Sequence, residues 1–179
     1  MSDQAPGELE LVRLFVNTAD LESGVEELSD PATLQAWLSA HGLGSGEAAS
    51  AADLHSARRV REAIRGLLLE NSGVSVRTDA AITLELTAAR ARLGLRFEPA
   101  GGVRLEPAAP GVAGALGRLV GIVAGAMAAG TWSRLKACQA DGCGWAFYDH
   151  ARNRSRRWCS MAVCGNRTKA RSYRRRHAA

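Results

Sequence analysis

Four cysteines constrain the fold of this 179-residue chain more than any other feature. Cys138, Cys143, Cys159 and Cys164 all lie in its last third, in the mirror-symmetric spacing C-x4-C-x15-C-x4-C. A terminal segment of roughly 45 residues cannot hold itself together by apolar burial alone and needs a staple. Each cysteine pair offers two ligands from one loop, and the segment between the pairs is long enough to fold back and bring the loops together. Four thiolates in a tetrahedron are a closed structural zinc site, which supplies folding energy and leaves no open position for catalysis. Met1–Glu10 is acidic and has no uninterrupted apolar core, so no secretory segment is read there and a cytoplasmic protein is expected. In that compartment paired cysteines are more often ligands than disulfides. One structural Zn2+ is therefore expected ahead of disulfides or free thiols.

The charge divides at the same place as the cysteines. Residues 131–179 carry twelve Lys/Arg against two acids, whereas residues 1–130 carry eleven against sixteen. A neutral-to-acidic domain over 1–130, joined to a polyanion-binding module over 131–179, has this distribution.

Most of the first part reads as helix. Leu11, Val12, Phe15, Val16 and Ala19 recur at helical spacing within Glu8–Ala19, and Asn17-Thr18 suits its end. Local capping is the expected role of Asn17, and a ligand pocket involving Phe15, Asn17 and Trp37 is the alternative. Asp30-Pro31 starts a second helix whose stripe is Leu34, Trp37 and Leu38, stopping at Gly42 or Gly44. A long helix follows over roughly Glu47–Glu70, with Leu54, Ala57, Ile64, Leu67 and Leu68 inward and Arg58, Arg59, Arg61 and Arg65 on the solvated side. Thr78 or Asp79 caps a further helix running to about Leu93, with Ile82, Leu86 and Ala89 inward.

Leu95–Glu98 and Val103–Glu106 alternate apolar and charged residues around Pro99-Ala100-Gly101-Gly102, which predicts one β-hairpin. Gly111–Gly130 is apolar, but Arg118 divides it and its uncharged remainder is short for a bilayer, so a buried helix rather than a membrane span is expected. Its Gly111, Gly114, Gly117, Gly121 and Gly125 form a face that another backbone can approach closely, favoured here over a small-molecule cleft. The lysine and hydroxyl of a phosphate loop are missing.

Between the cysteine pairs, Trp145, Phe147 and Tyr148 can build a small apolar centre, and Asp149 and Asn153 can satisfy loop amides. Arg152, Arg154, Arg156 and Arg157 follow within six residues. After Cys164, Asn166–His177 reads as a basic helix carrying Arg167, Lys169, Arg171, Arg174, Arg175 and Arg176. Cations near phosphates bind with salt-dependent affinity, and arginine can also read guanine edges. Nucleic acid is the expected partner, ahead of an acidic protein or a merely solvated charge run. No paired catalytic carboxylates, activated cysteine or open metal site favours an enzyme.

These residues resemble the CGNR zinc-finger family, through Cys164-Gly165-Asn166-Arg167 together with Cys138, Cys143, Phe147-Tyr148-Asp149, Asn153, Arg156-Arg157-Trp158-Cys159-Ser160-Met161 and Lys169. Phe15-Val16-Asn17-Thr18, Leu34, Trp37-Leu38 and Gly42-Leu43 resemble the ABATE domain, which commonly precedes that finger and is linked to stress-induced transcription regulation. The resemblance implies a bacterial, mainly α protein: a helical sensor domain with one hairpin, then a treble-clef-like or ribbon-like zinc module ending in a basic helix. It further implies a DNA-binding transcription regulator, which in the cytoplasm would be nucleoid-associated when bound, with no membrane partner. A homodimer is a further expectation because paired units can read paired half-sites, and a small-molecule effector because the Asn17 region and the glycine-faced helix offer a pocket. An adaptor for RNA or an acidic protein is the alternative.

Overall fold

The computed structural model describes residues 3–44, 46–76, 79–99 and 101–177. Helices α1 (Leu9–Val16), α2 (Pro31–Ala40), α3 (Ala51–Asn71), α4 (Ala80–Arg90), α5 (Gly111–Ala128) and α6 (Asn166–His177) are its main elements. Three antiparallel two-stranded ribbons join them: β1 (Ala19–Asp20) with β2 (Val25–Glu26), β3 (Leu93–Phe97) with β4 (Val103–Pro107), and β5 (Leu135–Ala137) with β6 (Ala146–Tyr148). The predicted hairpin is β3–β4, in the register Leu95↔Leu105 and Phe97↔Val103. The other two ribbons are too short to leave a period-two signature in the sequence.

Helix starts follow local chemistry. Asp30 caps α2, its carboxylate accepting from the Thr33 amide at 2.8 Å while Thr33 reciprocates. Helix α3 begins later than expected because Ser50 and Asp53 form a second capping box, which fixes Ala51 as the first helical residue. Asp79 precedes α4 without a side-chain cap, and the alternative cap Thr78 lies outside the described residues, as does Ala100 of the hairpin turn.

Helix α5 is long and apolar enough to cross a membrane by length and composition. Here it is the central core helix, burying Val112, Leu116, Leu119, Val120, Ile122 and Val123. Its glycines admit close neighbours: a Cβ at Gly114 would overlap the Ala109 carbonyl oxygen, and one at Gly117 would overlap the Ala91 Cβ. The base of the β3–β4 hairpin and the end of α4 fill this face.

That close approach also corrects the expected orientation of α4. Ala80, Leu84 and Ala91 are buried, while Ile82, Leu86 and Ala89 are exposed. At the end of α4 the small Ala91 packs against Gly117, an approach too close for a larger side chain, while Ile82 and Leu86 turn outward.

A second correction concerns α3. Arg61 and Arg65, expected in solvent, are 4% and 3% exposed. Arg61 pairs with Glu26 at 2.6 Å and with Glu62 at 2.9 Å. Arg65 donates to the carbonyls of Val16 (2.7 Å), Ala19 (3.2 Å) and Gly144 (2.7 Å). Their charge is tolerated inside because every guanidinium nitrogen meets a carboxylate, hydroxyl or carbonyl oxygen.

Candidate metal centre and basic surface

Ribbon β5–β6 carries the first cysteine pair and is a wall shared by two apolar clusters. With side chains alternating across a strand, Leu135, Ala137, Ala146 and Tyr148 close the helical core, whereas Phe147 joins Cys138, Cys143 and Cys164 on the other face. Tyr148, expected beside the metal, thus belongs to the helical core. Both ribbon edges are satisfied by side chains at helix ends. Asn17 donates to the Ala146 carbonyl at 2.9 Å and accepts from its amide at 2.7 Å. Asn71 donates to the Leu135 carbonyl at 2.9 Å, and the Ser72 hydroxyl to that of Ala137 at 2.6 Å. Asn17 therefore does more than cap α1 locally.

Cys138 and Cys143 lie in the β5–β6 turn, where Gly142 and Gly144 adopt φ of +76° and +58°. A Cβ on Gly144 would also lie 2.9 Å from Leu21, so glycine is required there. Cys159 lies in the following loop, and Cys164 in a π-helical turn, Met161–Gly165, that opens α6.

All four sulfurs lie within 4.8 Å of one another. Three separations are 3.8 Å (Cys143–Cys159), 3.6 Å (Cys159–Cys164) and 3.8 Å (Cys164–Cys143). A tetrahedron with metal–sulfur bonds of about 2.3 Å has edges of about 3.8 Å, so the donor set has the size that a closed tetrahedral ion needs. Hydrogen bonds from Cys143 and Cys159 hold the Cys138 thiol well below its ordinary range, helped by the Ala140 and Cys159 amides. Sharing that proton pushes Cys143 and Cys159 upward. A bound cation would instead favour the thiolate form of all four.

The loop after the ribbon is organised by a buried ion pair that sequence reading missed. Lys136 (5% exposed) meets fully buried Asp149 at 2.8 Å and also donates to the carbonyls of Arg154 and Arg156. Asp149 accepts from the Ala151 and Arg156 amides, both at 3.0 Å. Burial acting alone would raise the Asp149 pKa, but the Lys136 bond and these amides hold it below the ordinary carboxylate value. Arg154 adopts φ +51° in this loop.

The ten predicted nucleic-acid residues divide into two groups. Arg156 pairs with Asp3 at 2.5 Å and lies 4.7 Å from the Phe147 ring centre, Arg167 pairs with Glu22, and Arg171 lies 3.3 Å from Asp141. Arg152, Arg154, Arg157, Lys169, Arg175 and Arg176 are exposed and have no side-chain partner among the described residues, and Arg174 contacts only the Ala170 carbonyl of its own helix. Helix α6 buries no residue. Of the candidate pocket residues, Phe15 is fully buried and packs against Trp37 with ring centroids 5.4 Å apart, while Asn17 bonds to Ala146.

Residues 134–177 match the profile of the CGNR zinc finger, and residues 9–131 that of ABATE, described as "Putative stress-induced transcription regulator". Neither description names an enzyme. No curated protein matches the chain. With more than half its length matched by that profile, and with its cysteine cluster inside the zinc-finger match, the chain belongs to the ABATE family and carries a C-terminal CGNR zinc finger.

Proposed function

We propose that this chain is a zinc-dependent, DNA-binding transcriptional regulator. Cys138, Cys143, Cys159 and Cys164 would hold one structural Zn2+, and the ion would cross-link the β5–β6 turn to the start of α6. The carrying observation is α6 itself: twelve residues with none buried, among which Lys169, Arg174, Arg175 and Arg176 have no acidic partner among the described residues. A helix polar on every side gains nothing from the core, whereas duplex phosphates would neutralise it and release counterions. Lys136 and Asp149 add to this by fixing the loop that carries the exposed Arg152, Arg154 and Arg157.

Zinc-loaded protein should bind duplex DNA with an affinity that falls steeply with salt. Changing Lys169, Arg175 and Arg176 to Gln should reduce the slope of log K against log salt by about 0.9 for each phosphate that is no longer neutralised. Binding assays across a salt series, with single-stranded RNA and an acidic protein as competitors, test this. No binding to any duplex from the neighbourhood of the protein's own gene at low salt would refute it, and tighter binding to either competitor would favour the adaptor reading.

A further inference from the structure

Two of the half-buried arginines beside the cysteine cluster hold carboxylates from the other end of the chain. Glu22, in the turn between β1 and β2, receives both Nη atoms of Arg167, with Nη2–Oε2 at 2.8 Å. The same Nη2 lies 3.4 Å from the Cys164 sulfur, so this guanidinium touches the cysteine cluster and the acid together. Asp3 holds Arg156 in a parallel way, and Asp3, Asp20 and Glu22 line one side of a cleft of about 300 Å3 that opens onto Cys143, Cys159 and Cys164.

The acid is presented by a braced turn. The Asp20 carboxylate accepts from the Glu22 and Ser23 amides at 2.9 and 3.3 Å, and Gly24 adopts φ +75°. Below the turn, Arg65 bonds the Ala19 carbonyl and Arg61 grips Glu26. Glu22 is thus tied through α3 to the helical core, while Arg167 begins the basic helix. The pair lies at the surface, with side-chain exposures of 44% for Glu22 and 26% for Arg167. The Arg167 Nε is buried without a hydrogen-bond partner among the described residues, so the present arrangement leaves one donor of the fork unmet.

A carboxylate and a phosphate present similar paired oxygens to a guanidinium. We propose that Glu22 competes with the DNA backbone for Arg167, so that the β1–β2 turn holds the metal module in a weaker-binding state. This rests on the DNA-binding reading above. It assigns an autoinhibitory role to an acid of the helical region: phosphate gains the Arg167 fork only by displacing Glu22 from it.

The test is a mutant cycle on the full-length, zinc-loaded protein with a mixed-sequence DNA duplex, zinc content being measured for every variant. Glu22→Gln should tighten binding about three- to fivefold, the factor that releasing one surface ion pair permits. In an Arg167→Gln background the same change should give little gain. Arg167→Lys, which keeps the charge but loses the fork, serves as a second background and should also shrink the gain. If the wild type binds and Glu22→Gln does not bind more tightly, the competition is refuted while DNA binding stands. A full gain that persists in both Arg167 backgrounds would show general charge repulsion and refute it equally. If neither the wild type nor Glu22→Gln binds duplex, both readings fall.

Discussion

Asn17 and Ala146 lie 129 residues apart in the chain, yet they exchange two hydrogen bonds, the Asn17 amide completing the edge of β6 as a neighbouring strand would. Both residues are buried, so Asn17→Ala would leave an N–H and a C=O without partners and without water. The expected loss is about 2–3 kcal/mol, read from urea denaturation of the zinc-loaded protein. A loss of a few tenths would mean that Asn17 is only a local helix cap.

Glycines on α5 should respond with opposite signs. Gly117→Ala places a methyl against Ala91 and should destabilise by about 1–3 kcal/mol through overpacking. At Gly125 nothing lies within 4 Å of the added carbon, so Gly125→Ala should stabilise by up to about 1 kcal/mol through helix propensity. Thermal or chemical denaturation of the two variants side by side checks both signs.

Asp149 gives a pH dependence with a definite direction. Burial opposes its ionisation, but the Lys136 bond and two backbone amides outweigh burial and lower its folded pKa below the ordinary 3.8. The unfolded chain therefore binds this proton more readily than the folded one, and stability rises with pH in that window. The contribution is present above the unfolded pKa and is lost as pH falls through the lower, folded value. Acidification should thus erode wild-type stability faster than that of Asp149→Asn, the thiolate contribution being common to both. Parallel denaturation curves from neutral to acid pH measure the difference.

Removing one sulfur ligand should loosen the terminal segment more than the helical core. Cys159→Ser is expected to lower zinc content and to expose the Arg152–Arg157 loop and α6 to trypsin. The β5–β6 ribbon should stay protected, because Leu135, Ala137, Ala146 and Tyr148 are buried in the helical core. Metal analysis with mass-spectrometric mapping of the cleavage sites reads this. Unchanged stoichiometry and unchanged protection would count against a four-thiolate site.

The sequence was most legible where the controlling interactions are local. Asp30-Pro31 fixed the start of α2, the alternation around Pro99–Gly102 fixed the β3–β4 hairpin, and the span of α6 was readable from residue 166 onward. Cysteine spacing gave the four-sulfur cluster, whose size suits a tetrahedral ion, because such a site restricts residue type and number strongly enough to mark a sequence. The stripe on α4 differs from the expected one because Ile82 and Leu86 satisfy the helical period as well as Ala80 and Leu84 do; what separates them is packing against α3 and α5, both distant in sequence.

By itself, then, the sequence determined the mainly helical class, the four-cysteine cluster, the division of charge and the basic terminal helix, all of which depend on neighbours a few residues apart or on residue chemistry. Tertiary structure alone decided that Arg61 and Arg65 are buried, that Asn17, Asn71 and Ser72 complete the edges of the β5–β6 ribbon, and that Glu22 holds Arg167. The physical reason is that a polar or charged side chain can be buried wherever its partners converge, and here, Glu62 apart, the partners of the buried groups come from 35 to 129 residues away.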